Sequence, residues 1–287
     1  GESNGKVSLK ELFESPDKIL AVNKLKIDDL AYLICRGGWP FACGLEAEAA
    51  LSQAFDYVDA VIKKDISRVD GVNRNSTTAR LLLRSYARNQ GSQATIGTIV
   101  ADMATNDENE ISVKTAGGYM EALRKIFVIE DSEAWNPNLR SKTAVRTANT
   151  RYFIDPSIGI AVLGLGPNDL LKDLNTMGLF FETLCVRDLR VFADAIDGEV
   201  YHFRDRSGLE CDAVVHLRNG KYGLVEIKLG GDRLINEGAE NLQKLAEKIN
   251  TEKMNEPSFM MVLVGTGDYA YRRTDGVYVV PIGCLKD

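Results

Sequence analysis

Three charged residues interrupt two apolar runs in the stretch CDAVVHLRNGKYGLVEIKLG, residues 211–230: Asp212, Glu226 and Lys228. Side chains along a strand alternate between faces, so parity decides where each one points. Cys211, Ala213, Val215 and Leu217 in the first run, and Gly223, Val225, Ile227 and Leu229 in the second, are all apolar or small and all odd-numbered. They belong on a core-facing side. Paired residues share a face, so odd must pair with odd and the connecting loop must have odd length. A two-residue Asn-Gly turn would send one apolar set to the wrong face. A three-residue loop, Arg218-Asn219-Gly220, fits, as a type I turn followed by glycine in the left-handed region. That register places Asp212 opposite Glu226 and Glu210 opposite Lys228, which gathers the charges on the even face.

Adjacent carboxylates repel, and each has a raised pKa unless a cation lies between them. A hard divalent ion is one such cation; Mg²⁺ commonly uses one or two carboxylates together with phosphate and water. A lysine one rung away can polarise a water or steady phosphoryl charge. The same pattern also suits a solvated sheet face with cross-strand ion pairs. Spacing alone leaves both readings open.

The flanking sequence supplies the elements that must position these groups. NTMGLFFETLCVRDLRVFADA reads as a helix, and EVYHFRD, LECDAVVHL, YGLVEIKL and SFMMVLVG as strands. GAENLQKLAEKIN is a helix between the last two strands, and GVYVVPIGCL adds one further strand. This order defines a mixed α/β domain over 166–287. Upstream, TTARLLLRSYARNQ, ATIGTIVADMAT and SVKTAGGYMEALRKI read as three short helices, the third capped by Ser112. Gly117-Gly118 weakens that third helix by about 1 kcal/mol per glycine relative to alanine. FVIEDSEAW and RYFIDP follow as two strands with a long tip between them, the pattern of a winged helix-turn-helix over 76–165. Residues 1–75 form a helical segment. Ser8 and Glu11 stand at capping-box spacing, ICRGGWPFACG is an ordered turn, and EAEAALSQAFDYVDAVIKKDI is a long amphipathic helix. The expected fold class is therefore α+β.

Composition narrows the function classes. A chain of 287 residues suits two or three domains. It is 45% apolar and 26% charged, ordinary for a globular protein. No apolar run is long enough to span a membrane, and no apolar signal region opens the sequence, so a cytoplasmic location without membrane contact is expected. The sequence begins without Met, which suits a piece of a longer protein. Five scattered cysteines without CxxC spacing suit reduced thiols and argue against zinc. His202 and His216 are the two histidines, which argues against a histidine-based metal cluster or a serine-type triad. A net charge of −6 argues against a generally cationic nucleic-acid binder. Residues 134–154 depart from that balance: Arg140, Lys142, Arg146 and Arg151 occur there with no Asp or Glu. With Lys114 on the third helix, they suit contacts to nucleic-acid phosphates. Winged helices also mediate protein contacts, and Gly117-Gly118 removes side chains that would read bases.

Asp212, then Glu226-Ile227-Lys228, preceded by the helical Glu182, resembles the PD-(D/E)XK nuclease superfamily. The resemblance implies a restriction-endonuclease-like domain with a mixed central sheet, hydrolysing phosphodiesters with Mg²⁺ or Mn²⁺. It implies catalytic roles for Glu182, Asp212, Glu226 and Lys228, with Asp212 and Glu226 as metal ligands and Lys228 orienting the nucleophile. Gln243 falls on the following helix, where some members carry an auxiliary Gln. From its neighbours alone, Gln243 is an ordinary surface helix residue, and Glu182 could instead cap its helix or pair with Arg187.

A wider resemblance rests on GGWP (37–40), KKDI (63–66), RYFIDPSIGIAVLG (151–164) and GLFFETLCVRDLR (178–190). These resemble blocks of prokaryotic AAA-family ATPases that carry a C-terminal domain of unknown function. Those proteins run from ATPase core to winged helix to nuclease-like domain. The opening SNGKVSLKELF is similar to the segment that leaves their core. No GxxxxGK[ST] phosphate loop occurs here, so ATP would enter only through an ATPase core outside this sequence. The resemblance implies that core and DNA as partners, and an oligomer is compatible with it. Two functions follow as expectations. One is a Mg²⁺-dependent nuclease-like module; the other is an inactive nuclease-like fold that binds DNA or protein and regulates the ATPase.

Overall fold

A computed structural model describes residues 7–14, 19–104, 111–136, 148–249 and 254–287. It is α+β, as expected, and divides into two compact units. One unit comprises residues 31–131 and 148–183, the other 1–30, 132–147 and 184–287. The division does not follow the expected boundaries. Residues 31–75 share a unit with the helix-turn-helix, and residues 1–30 group with the C-terminal sheet.

In chain order, the elements begin with β1 (Val7–Ser8), α1 (Leu9–Glu14), β2 (Ala21–Val22) and α2 (Ile27–Arg36). Ser8 Oγ accepts the Glu11 N–H, the cap the sequence announced. Next come α3 (Ala47–Ala60), a π-turn over Val61–Asp65, and α4 (Ile66–Arg68). The expected long helix is present with this one widened turn in it.

The helix-turn-helix trio is α5 (Ser76–Arg88), α6 (Ile96–Ala104) and α7 (Val113–Lys125). Asn75 and Ser112 cap α5 and α7 by accepting the N–H groups of Thr78 and Thr115. Leu82, Leu83, Tyr86, Ile99, Met120 and Leu123 pack these helices into one core. Of the expected wing hairpin, the described backbone includes the antiparallel bridge of Ile129 to Phe153, with Glu130 N–H donating to Tyr152 O and Ile154 N–H to Val128 O. The stretch 132–136 belongs instead to the other unit. There Ala134 bridges His202 in parallel, and Trp135 is buried against Tyr222 and Phe203. Residues 156–163, left unassigned by sequence, form α8 (Pro156–Leu163), capped by Asp155 and started by proline. Then follow α9 (Pro167–Lys172) and α10 (Leu174–Asp194).

The second unit holds β3 (Gly198–Arg204), β4 (Glu210–Leu217), β5 (Tyr222–Lys228), α11 (Asp232–Lys248), β6 (Phe259–Val264), β7 (Tyr269–Arg272), β8 (Tyr278–Pro281) and β9 (Leu285–Lys286). Seven strands form a mixed sheet in the order β2-β7-β8-β6-β5-β4-β3. β5, β6 and β8 run parallel, and α11 is the crossover between β5 and β6. Among the described residues, no helix is long and apolar enough to cross a membrane.

Candidate functional site

The β4–β5 hairpin has the loop that parity required. Leu217 N–H donates to Lys221 O, Gly220 N–H donates to Leu217 O, and Gly220 sits at φ +86°. The paired residues Ala213–Val225 and Val215–Gly223 confirm odd with odd. The ladder stops at Ala213–Val225. Beyond it, Asp212 Oδ2 accepts the Ile227 N–H at 2.7 Å, in place of a backbone partner.

Around that point, three of the expected residues meet. Lys228 Nζ lies 2.5 Å from Glu226 Oε2 and 3.3 Å from Asp212 Oδ2. Glu210 does not join them. It pairs with Arg204 at 3.1 Å, since the β3–β4 register sets those two opposite each other.

The even face is not solvated. Val214, Tyr222 and Leu224 on it pack with Ile235, Ala239 and Leu242 of α11. A Cβ added at Gly238 would stand 3.4 Å from Glu226 Cβ, so the helix lies close over the carboxylate's stem. Glu226 is accordingly 1% exposed. Both faces of β5 are buried because it is a central strand with parallel and antiparallel neighbours.

Burial in isolation would lower the Lys228 pKa. The charges of Asp212 and Glu226 outweigh it and hold the ammonium above its ordinary value. Burial, reinforced by Glu226 and Asp212, pushes the neighbouring Cys211 thiol well up, so it is an inert core thiol.

Two carboxylates are the right donor type for Mg²⁺. Lys228 bonds one oxygen of each, and among the described residues no group of three or more His, Cys, Asp or Glu could hold a metal ion. Asp212, Glu226 and Lys228 make an ion triad. A divalent ion here would compete with the ammonium for these oxygens.

Glu182 lies on α10 in the other unit, where Tyr152 Oη donates to its Oε1 at 2.5 Å. Gly91 faces the same carboxylate, since a Cβ there would stand 3.4 Å from Oε1. Arg187 bonds Asp188 at 2.7 Å. Gln243 is half-buried on α11.

Of the residues expected to contact nucleic acid, Lys114 is exposed on the first turn of α7. Arg151 is turned inward. It pairs with the half-buried Asp131 and donates Nε–H to Ala94 O. Asp131 also accepts from Arg124 at 2.7 Å and from Tyr86 at 3.0 Å. The register that pairs Ile129 with Phe153 sets Asp131 opposite Arg151, so this partnership was readable from the expected hairpin. Arg140, Lys142 and Arg146 lie outside the described residues.

A mixed-sheet α+β unit with a strand-borne Asp, Glu and Lys cluster, preceded by a helical unit, is the class these features define. Family models match both parts: residues 27–169 are similar to Domain of unknown function (DUF8612), and residues 177–285 to Domain of unknown function (DUF4143). Argininosuccinate synthase of Burkholderia pseudomallei (strain K96243) is 24% identical over 131 residues, covering 46% of this chain and 31% of that protein. The chain thus spans about a third of that relative's length, and the similarity does not bear on nuclease or ATPase chemistry.

Proposed function

We propose that this chain is a nucleic-acid-binding regulatory module of a larger AAA-family ATPase, with a nuclease-like domain that does not hydrolyse DNA. One observation carries the non-hydrolytic reading. The two carboxylates suited to a metal are already ion-paired to Lys228, and Glu226 is buried beneath α11. The helix-turn-helix trio with exposed Lys114 supports electrostatic contact with phosphates. The link to an ATPase rests on the sequence blocks alone.

A second reading has its own support, because Asp212, Glu226 and Lys228 meet at one point as the nuclease resemblance implies. In that reading Asp212 and Glu226 would hold Mg²⁺, which would supply an activated water, while Lys228 moves aside to steady phosphoryl charge. Incubation with duplex, single-stranded and branched DNA in Mg²⁺ or Mn²⁺ separates the two. Salt-sensitive binding without cleavage is the expected result. Cleavage that Glu226→Ala abolishes would establish the second reading, and absence of binding at low salt would remove the first.

A further inference from the structure

A cleft of about 370 Å³ opens in the helical unit, lined by Tyr57, Val61, Asp65, Arg68, Val69 and Ile126. Its size falls within the usual range for small-molecule sites, about 300–1,000 Å³. One wall is the π-turn at Val61–Asp65, where Ile66 N–H reaches back to Val61 O. Such widened turns are costly and concentrate at functional sites. This one falls on the KKDI block, which the proposed function leaves without a role.

The chemistry of the lining is specific. Val61, Val69 and Ile126 form an apolar floor. Tyr57 is braced from behind by Trp39, with ring centroids 4.7 Å apart. Asp65 and Arg68 stand three residues apart, facing the same cleft with opposite charges. Among the described residues, neither side chain has a hydrogen-bond or ion-pair partner. Of the neighbouring charges, Lys63 is paired with Asp59 and Arg74 with Asp70, while Lys64 is exposed. Burial, then the Asp65 charge, raises the Tyr57 pKa, so its phenol stays a neutral donor.

We propose that this cleft binds a small zwitterion with an apolar body, a free α-amino acid with an aliphatic or aromatic side chain. Its carboxylate meets the Arg68 guanidinium, its ammonium meets Asp65, and its side chain covers Val61, Val69 and Ile126. An ammonium or a carboxylate alone satisfies one wall and leaves the other charge facing it unpaired. The site uses none of the residues of the proposed function and stands or falls apart from it.

The test is calorimetric titration of the full chain with L-leucine and L-phenylalanine, alongside isoamylamine and isocaproate, which each lack one charge. Saturable binding of at least one amino acid is expected, weakened about tenfold or more by removing either charge of the ligand. Arg68→Gln and Asp65→Asn should each weaken it similarly, with unchanged circular dichroism showing that the fold is kept. Val69→Trp, which fills the cleft, should abolish it. No saturable heat with either amino acid, or affinity unchanged in both charge variants, would overturn the proposal.

Discussion

At the scale of single residues, the cation between Asp212 and Glu226 belongs to the protein. The sequence made their pairing legible because strand parity is rigid. It did not show that Lys228 would reach both, because a ladder drawn on paper continues past Ala213, whereas the strands part there and Asp212 turns to the Ile227 N–H. Nor did it show burial, which depends on α11 settling over Glu226 at Gly238. Removing one partner of a buried ion pair strands the other charge. Lys228→Ala should therefore destabilise the protein toward the lower end of about 3–5 kcal/mol, since Lys228 keeps some solvent contact. Urea denaturation measures this. His202 gives a second residue-scale prediction. Its Nδ1 lies 3.0 Å from Ser132 O, and burial depresses its pKa below the ordinary 6.5. The unfolded chain then binds the proton more tightly than the folded one, so the contribution of His202 is complete above about pH 6.5 and is lost as pH falls below it. His216 is shifted the same way by burial. Melting temperature should drop from pH 7 to pH 5 in the wild type and drop less in His202→Asn.

At the scale of elements, the strongly patterned pieces were legible and the weakly patterned ones were not. Helices α5 and α7 announce themselves by apolar spacing, and α7 also by its cap, Ser112. Ser112→Ala should cost about 1 kcal/mol, read as a lowered denaturation midpoint with unchanged slope. The Gly220 loop was deducible from parity, and its φ of +86° makes Gly220→Ala destabilising while Gly220→Asn is better tolerated. Strand β7 leaves no local signal, because YAYR is short and flanked by charge, and its pairing with β2 and β8 is long-range. The end of the first wing strand is hard to read for the opposite reason. Residues 127–135 have strand character throughout, yet Trp135 finds its partners on β4 and β5 of the other unit, a choice no local pattern encodes.

At the scale of the whole molecule, a net charge of −6 makes any nucleic-acid contact a local matter. Binding to DNA should fall steeply as salt rises, and Lys114→Gln should reduce the slope of log affinity against log salt by about 1, without changing sequence preference. Arg151 contributes stability through Asp131, so its replacement should lower melting temperature in the absence of DNA as well. The central claim is that Lys228 supplies the cation between Asp212 and Glu226, where the nuclease resemblance would place a metal. Thermal unfolding of wild-type protein and Lys228→Ala, each with and without millimolar MgCl₂, tests it most directly. The account predicts a wild-type midpoint that Mg²⁺ does not move, and a lowered Lys228→Ala midpoint that Mg²⁺ partly restores, because the vacated carboxylates then accept the ion. A Mg²⁺-induced rise in the wild-type midpoint that disappears in Glu226→Gln would contradict it.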